Sequence, residues 1–156
     1  MPRRKIIIKR NLVKDPKYGD YEVEKFINSL MIKGKKSLAR SKFYKALDIL
    51  KEKMKDDGFA IFKKALENVK PKLEVRPRRV GGATYQIPQE VPSHRSTALA
   101  IRWILQSIRA RKGKSLEEKL VDELMEASKN EGPSVKKKQE THKMAESNRA
   151  FAHYKW

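Results

Sequence analysis

The side chains able to move a proton or hold a metal are few. Three histidines are present, His94, His142 and His153, and none is paired with another at the short helical spacing that a metal site uses. Glu140 and His142 lie two apart, which puts them on different faces of a helix and out of reach as an acid–base pair. Gly34-Lys35-Lys36-Ser37 resembles the end of a phosphate-cradling loop, but the earlier glycine and the preceding strand are missing. With no cysteine there is no thiol nucleophile, thiolate zinc site or disulfide. The sequence reads as non-enzymatic, without cofactor or metal. An RNA-processing nuclease using His142 or His153 is the enzyme-class alternative.

The chemistry these residues do support is contact with a polyanion. Lysine and arginine number 38 against 19 acids in 156 residues, a formal net charge of +19. Charged residues make up 37% of the chain, where an ordinary soluble domain carries roughly a quarter. A compact body with that excess repels itself unless a polyanion offsets it. Membrane insertion is set aside, because no stretch approaches the roughly 20 apolar residues a span needs and the longest early apolar run is Ile6-Ile7-Ile8. Nucleic acid remains. A β-arm DNA-bending protein is the alternative within that class, since composition alone does not separate RNA from DNA.

The charge is also segregated. No acid occurs from Met1 to Lys14, from Lys25 to Leu47, or from Val91 to Leu116, whereas acids collect at Asp48 to Asp57 and Glu117 to Glu131. This pattern predicts a body with one basic side. The candidate phosphate contacts are Arg3, Arg4, Lys5, Lys9 and Arg10 near the start, then the turn of Lys33, Lys35 and Lys36 around Gly34. Arg76, Arg78 and Arg79 follow, then Arg95, Arg102 and Arg109, seven apart and so along one helix edge. Arg111, Lys136, Lys137, Lys138, Lys143 and Arg149 complete the set. Tyr85 is placed either to stack on a base or to pack across the strand on Arg78. Trp103 reads as core. Phe151, Tyr154 and Trp156 form either a stacking tail or a strip docked on the body.

The elements that must position these groups are mostly helices. Residues 1–19 carry no helical period and contain Pro2, Pro16 and Gly19, so they read as an extended basic arm. Asp20 is a good cap for a first helix with Val23, Phe26, Ile27, Leu30 and Met31 on one face, ended by Gly34. Ser37 caps a second helix with a stripe of Phe43, Leu47, Leu50 and Met54, closed by Gly58. A third carries Phe59, Phe62, Leu66 and Val69 and stops before Pro71. The period then changes. Residues 73–92 read as two extended runs joined by Gly81-Gly82, with Val80 opposite Ala83, Arg78 opposite Tyr85 and Arg76 opposite Ile87. Pro77 and Pro88 suit a two-stranded ribbon with free edges, which is marginal alone and projects from the body. A fourth helix starts at Ser93 with a stripe of Ala98, Ile101, Leu105 and Ile108, and Ser115 with Glu118 forms a capping box for a fifth. Gly132-Pro133 stops the fifth and Ser134 opens a sixth, poor in apolar residues.

The expected fold is mainly α: a six-helix, bundle-like body with one protruding two-stranded β-hairpin at about residues 73–91 and an extended basic N-terminal arm. One nucleic-acid-binding domain is expected over 1–156, and the resemblance given next makes it an RNA-binding one. The arm is 1–19, the body 20–72 and 93–147, the hairpin 73–92 and the C-terminal tail 148–156.

Specific strings carry a resemblance. Phe62-Lys63-Lys64-Ala65-Leu66-Glu67-Asn68-Val69-Lys70-Pro71 runs on to Arg78-Arg79-Val80-Gly81-Gly82-Ala83-Thr84-Tyr85-Gln86-Ile87-Pro88. With Met31 to Ser37, Leu99-Ala100-Ile101-Arg102-Trp103-Ile104 and Met144 to Trp156, these resemble the small-subunit ribosomal protein seven family of the bacterial type, over essentially the whole chain. The resemblance implies a primary binder of small-subunit ribosomal RNA that nucleates assembly of the head (3′ major) domain. It implies that the hairpin and C-terminal region lie near the exit-site tRNA and the messenger RNA path, with Arg79, Gly81, Gly82, His153, Tyr154 and Trp156 closest to that tRNA. It implies small-subunit ribosomal proteins nine and eleven as neighbours, no obligate homo-oligomer, and a cytoplasmic bacterial ribosome, or a plastid one, as location. In some bacteria such a protein also represses its own operon. Val91 to Arg95 is less basic than the family pattern, and Lys137 and Lys155 stand where arginines are usual, keeping the charge but not the planar fork.

Overall fold

The structure is a computed structural model that describes residues 13–154. Among these, six α-helices form the body: α1 (Tyr21–Leu30), α2 (Lys36–Met54), α3 (Gly58–Val69), α4 (Ser93–Ala110), α5 (Leu116–Ser128) and α6 (Pro133–Ser147). One antiparallel hairpin, β1 (Leu73–Val80) with β2 (Ala83–Glu90), interrupts them, and a 3-10 helix (Arg149–Tyr154) follows α6.

The apolar stripes meet around α3, which packs against α2, α4, α5 and α6. Phe26, Phe43 and Phe62, each fully buried, bring α1, α2 and α3 together with ring centroids 5.2 to 5.3 Å apart. Such tilted and edge-to-face pairs add to the area buried, by about 0.5–1.5 kcal/mol each. Ile104, Ile108, Leu120 and Leu124 close the other side of the core, and Trp103 is buried with them. The Asp20 carboxylate accepts from the N–H groups of Glu22 and Val23, and the Ser115–Glu118 capping box is complete. Helix α6 buries only Ser134, Val135 and Ala145, in keeping with its sparse apolar content.

Several boundaries differ from the sequence reading, each for a local reason. Helix α1 ends at Leu30, and Lys33 and Gly34, at φ 51° and 77°, turn the chain into α2. Lys35, not Ser37, occupies the N-cap of α2, without a side-chain cap bond. Helix α2 is closed by Lys55 in the left-handed region, and Gly58 instead opens α3 behind the Asp57 cap. A Cβ at Gly58 would stand 2.4 Å from the Leu47 carbonyl oxygen, so the glycine is required by the close approach of α2. Gly132, at φ 89°, caps α6, with Pro133 as its first residue. Of the expected stripe of α4, Ile101, Leu105 and Ile108 are buried and Ala98 is exposed, and Leu99 and Ile104 join Trp103 in the core.

The arm is expected to run through residue 19. Its residues 1–12 lie outside the described ones, but Asp15 is buried and accepts from the N–H groups of Lys17 and Tyr18 and from the Tyr44 hydroxyl at 2.7 Å. Burial and this carboxylate push the Tyr44 phenol up to about 12. Tyr18 stacks on Phe59 at 4.9 Å. From Asp15 onward the chain is therefore part of the body.

The hairpin has the expected register, Val80 with Ala83, Arg78 with Tyr85 and Arg76 with Ile87, and Gly81 and Gly82 turn at φ 57° and 88°. Its root is docked rather than free. Glu74 and Ile87 are buried, α6 lies against both strands, and the 3-10 helix lies against β2. The tip, Gly81 to Thr84, is exposed.

Candidate nucleic-acid interface

A groove between α1 and α4 gathers three cations. Lys25, Asn28 and Ser29 come from α1, and Arg102, Gln106 and Arg109 from α4, over a floor of Ile101 and Leu105. No acid lines it. The α1 side is presented by the amphipathic helix that Asp20 starts, and the α4 side by the outward face of a helix whose other face is core. Arg102 and Arg109 are exposed and about 10 Å apart along the axis. Arg109 also donates to the Ser29 carbonyl at 3.3 Å, where α1 ends. Just past that end stand Lys33 and Lys35, exposed and with no carboxylate partner among the described residues. Acid-rich α5 touches α2, α3, α4 and α6, but not α1 among the described residues.

The remaining candidates fall into four groups. Arg78, Arg79, Lys136, Lys143 and Arg149 have no carboxylate partner among the described residues; all but the half-buried Arg78 are exposed, and Lys137 makes only a 3.5 Å exposed contact with Glu140. These sit on the hairpin, on α6 and in the 3-10 helix, and Lys137 shares a recess with Gln106 of the α1–α4 groove. Lys36, Arg76, Arg95, Arg111 and Lys138 are held by partners within the chain. Lys36 lies on Glu24, Arg76 and Arg95 on Glu74, Arg111 on Glu123 and Glu126, and Lys138 donates to the Asn68 carbonyl at 2.7 Å. Arg3, Arg4, Lys5, Lys9, Arg10 and Trp156 lie outside the described residues. Gly81 and Gly82 are at the exposed hairpin tip, with His153 and Tyr154 in the 3-10 helix.

Tyr85 is half-buried on β2, in register with Arg78. Its ring meets Phe151 at 5.2 Å, so the C-terminal segment docks on the hairpin through this pair. The sequence pattern does not single out Lys25, although it lies inside the second acid-free segment, or Glu74, one of two acids in a ribbon with three arginines.

His142 has a structural task. Its Nε2 accepts the Lys72 N–H at 3.0 Å, tying α6 to the start of the hairpin. Burial, then the charges of Lys138 and Lys72, push its imidazole below the ordinary histidine range. A proton on Nε2 would remove that acceptor. The folded value lies below the unfolded one, about 6.5. The contribution is therefore full above pH 6.5 and is lost as pH falls through the folded value. The thermal midpoint is expected to drop between pH 7.5 and 5 by more in the native chain than in His142→Gln, whose amide oxygen still accepts. Equal drops would show that His142 does not carry the dependence. Among the described residues no three side chains are grouped as metal ligands, and no helix is long and apolar enough to cross a membrane.

Residues 2–149 match the family model described as ribosomal protein S7p/S5e. The chain is 56% identical over 154 residues to a protein of Thermotoga neapolitana named small ribosomal subunit protein uS7, covering 99% of each. It is 54% identical over 156 residues, all of both chains, to the protein of the same name from Myxococcus xanthus. The one from Petrotoga mobilis is 56% identical over 154 residues.

Proposed function

The chain belongs to the ribosomal protein S7p/S5e family, a non-enzymatic structural constituent of the small ribosomal subunit, and from that premise we propose that it binds small-subunit ribosomal RNA directly, through the α1–α4 groove and the hairpin. The observation that carries this is the acid-free groove holding Lys25, Arg102 and Arg109, continued by Lys33 and Lys35. Phosphates neutralised there would release counterions without reading sequence. The hairpin, braced at its root and free at its tip, extends the contact to a second part of the RNA, so that separate RNA helices are held at one junction. That role fits a primary binder which nucleates the head domain. The exposed tip and the C-terminal segment docked beside it are the surfaces proposed to lie near the exit-site tRNA and the messenger RNA path, with ribosomal proteins nine and eleven as neighbours.

The test is a salt titration with naked small-subunit ribosomal RNA. About eight phosphate contacts give a log–log slope of roughly −6 to −7. A slope near zero would remove the electrostatic footprint from the account. Competition with duplex DNA in the same titration separates this reading from a DNA-bending one, which requires comparable affinity for any duplex.

A further inference from the structure

At the root of the hairpin one buried carboxylate holds two guanidinium groups from different elements. Glu74, on β1, accepts from Arg76 Nε at 2.7 Å through Oε1 and from Arg95 Nε at 2.7 Å through Oε2. Its side chain is 9% exposed, against 48% for Arg76 and 44% for Arg95. Burial pushes the Glu74 carboxyl up, but the hydrogen bonds from Arg95 and then Arg76 outweigh it and hold the group below the ordinary range, so it is ionised. Arg95 lies in the first turn of α4, and Arg76 lies on a strand whose facing residue is the buried Ile87. Both arginines engage the carboxylate through Nε. Their Nη groups have no carboxylate or carbonyl partner among the described residues.

One charge of −1 under two of +1 leaves a net positive site. Its donors are fixed in direction before any ligand arrives, and guanidinium forks match phosphate oxygens. We propose that Arg76 and Arg95 form a preassembled site for one phosphodiester of the RNA, and that Glu74 is the positioning residue that builds it and sets the hairpin against α4. The inference rests on the RNA-binding reading above. An unheld arginine must be ordered when it binds, at about a threefold to tenfold loss of affinity for each side chain. Glu74 has met that requirement beforehand.

Glu74→Gln separates this from simple electrostatics by sign. Removing a negative charge from a basic surface tightens binding if charge alone counts. A positioning role requires the opposite: about tenfold weaker binding to small-subunit ribosomal RNA, with helical content by circular dichroism unchanged. In an Arg76→Ala/Arg95→Ala background the same substitution is expected to weaken binding no further. Tighter binding in the native background, or an equal loss in both, overturns the proposal. Arg95→Lys keeps the charge and discards the fork, so it guards against a Glu74 variant that merely loosens the hairpin. It is expected to lose about fivefold to tenfold, and unchanged affinity overturns the site. Absence of RNA binding by the native chain would instead strike the reading underneath.

Discussion

Arg111→Met is expected to lower the free energy of unfolding by about 3–5 kcal/mol while leaving RNA affinity per folded molecule unchanged. Arg111 caps the end of α4 and reaches across to α5. Its Nε and Nη2 donate to Glu123 at 3.1 and 2.7 Å, and Nη1 and Nη2 donate to Glu126 at 3.1 and 2.6 Å. The two carboxylates raise the guanidinium well above its ordinary value. Glu123 is fully buried and Arg111 is only a quarter exposed, so solvent screens this network far less than a surface pair. Methionine keeps most of the apolar stem but leaves the Glu123 charge buried, with only the Ser134 N–H at 3.4 Å. The cost is that of an orphaned charge, so Arg111→Met/Glu123→Met is expected to recover most of it. Urea unfolding of the three proteins measures this. A single variant within 1 kcal/mol of the native chain, paired with a tenfold loss of RNA affinity, would return Arg111 to the RNA contacts.

Arg111 shows where sequence reading stops. A lysine or arginine in an acid-free segment looks like a free cation, because the acids that bind it lie elsewhere in the chain: Glu123 is 12 residues away from Arg111, and Glu24 is 12 residues away from Lys36. The fold was more legible. Helical periods, the Ser115–Glu118 box and the Gly81-Gly82 turn are local signals, and the elements they mark are present with the hairpin in register. The misplaced boundaries at Gly34, Gly58 and Gly132 share one cause. A glycine after an apolar stripe reads as a stop, whereas Gly58 answers to the carbonyl of Leu47 and Gly132 opens a helix. The docking of Tyr85 on Phe151 and of Asp15 under Tyr44 has no local signature, since each joins segments far apart in sequence.

What the charge segregation means is decided by neutralising the same number of cations in two places. Lys33→Gln, Lys35→Gln, Arg102→Gln and Arg109→Gln together remove four candidate phosphate contacts beside and within the α1–α4 groove. At roughly 0.7–0.9 per contact the log–log salt slope should shrink by about 3, and affinity near 0.15 M salt should fall about 300-fold. The control takes Lys51, Lys53, Lys55 and Lys64 to Gln, four exposed lysines on or just beyond α2 and on α3. The change in net charge is identical, and by long-range attraction alone the two sets would weaken binding alike. Counterion release counts only phosphates in direct contact, while charges farther off than a Debye length, about 8 Å at this ionic strength, are screened. The control is therefore expected to change affinity by no more than about fivefold, with its slope kept. Equal losses from both sets would mean that total charge, and not the placement made by α1 and α4, governs the grip on RNA.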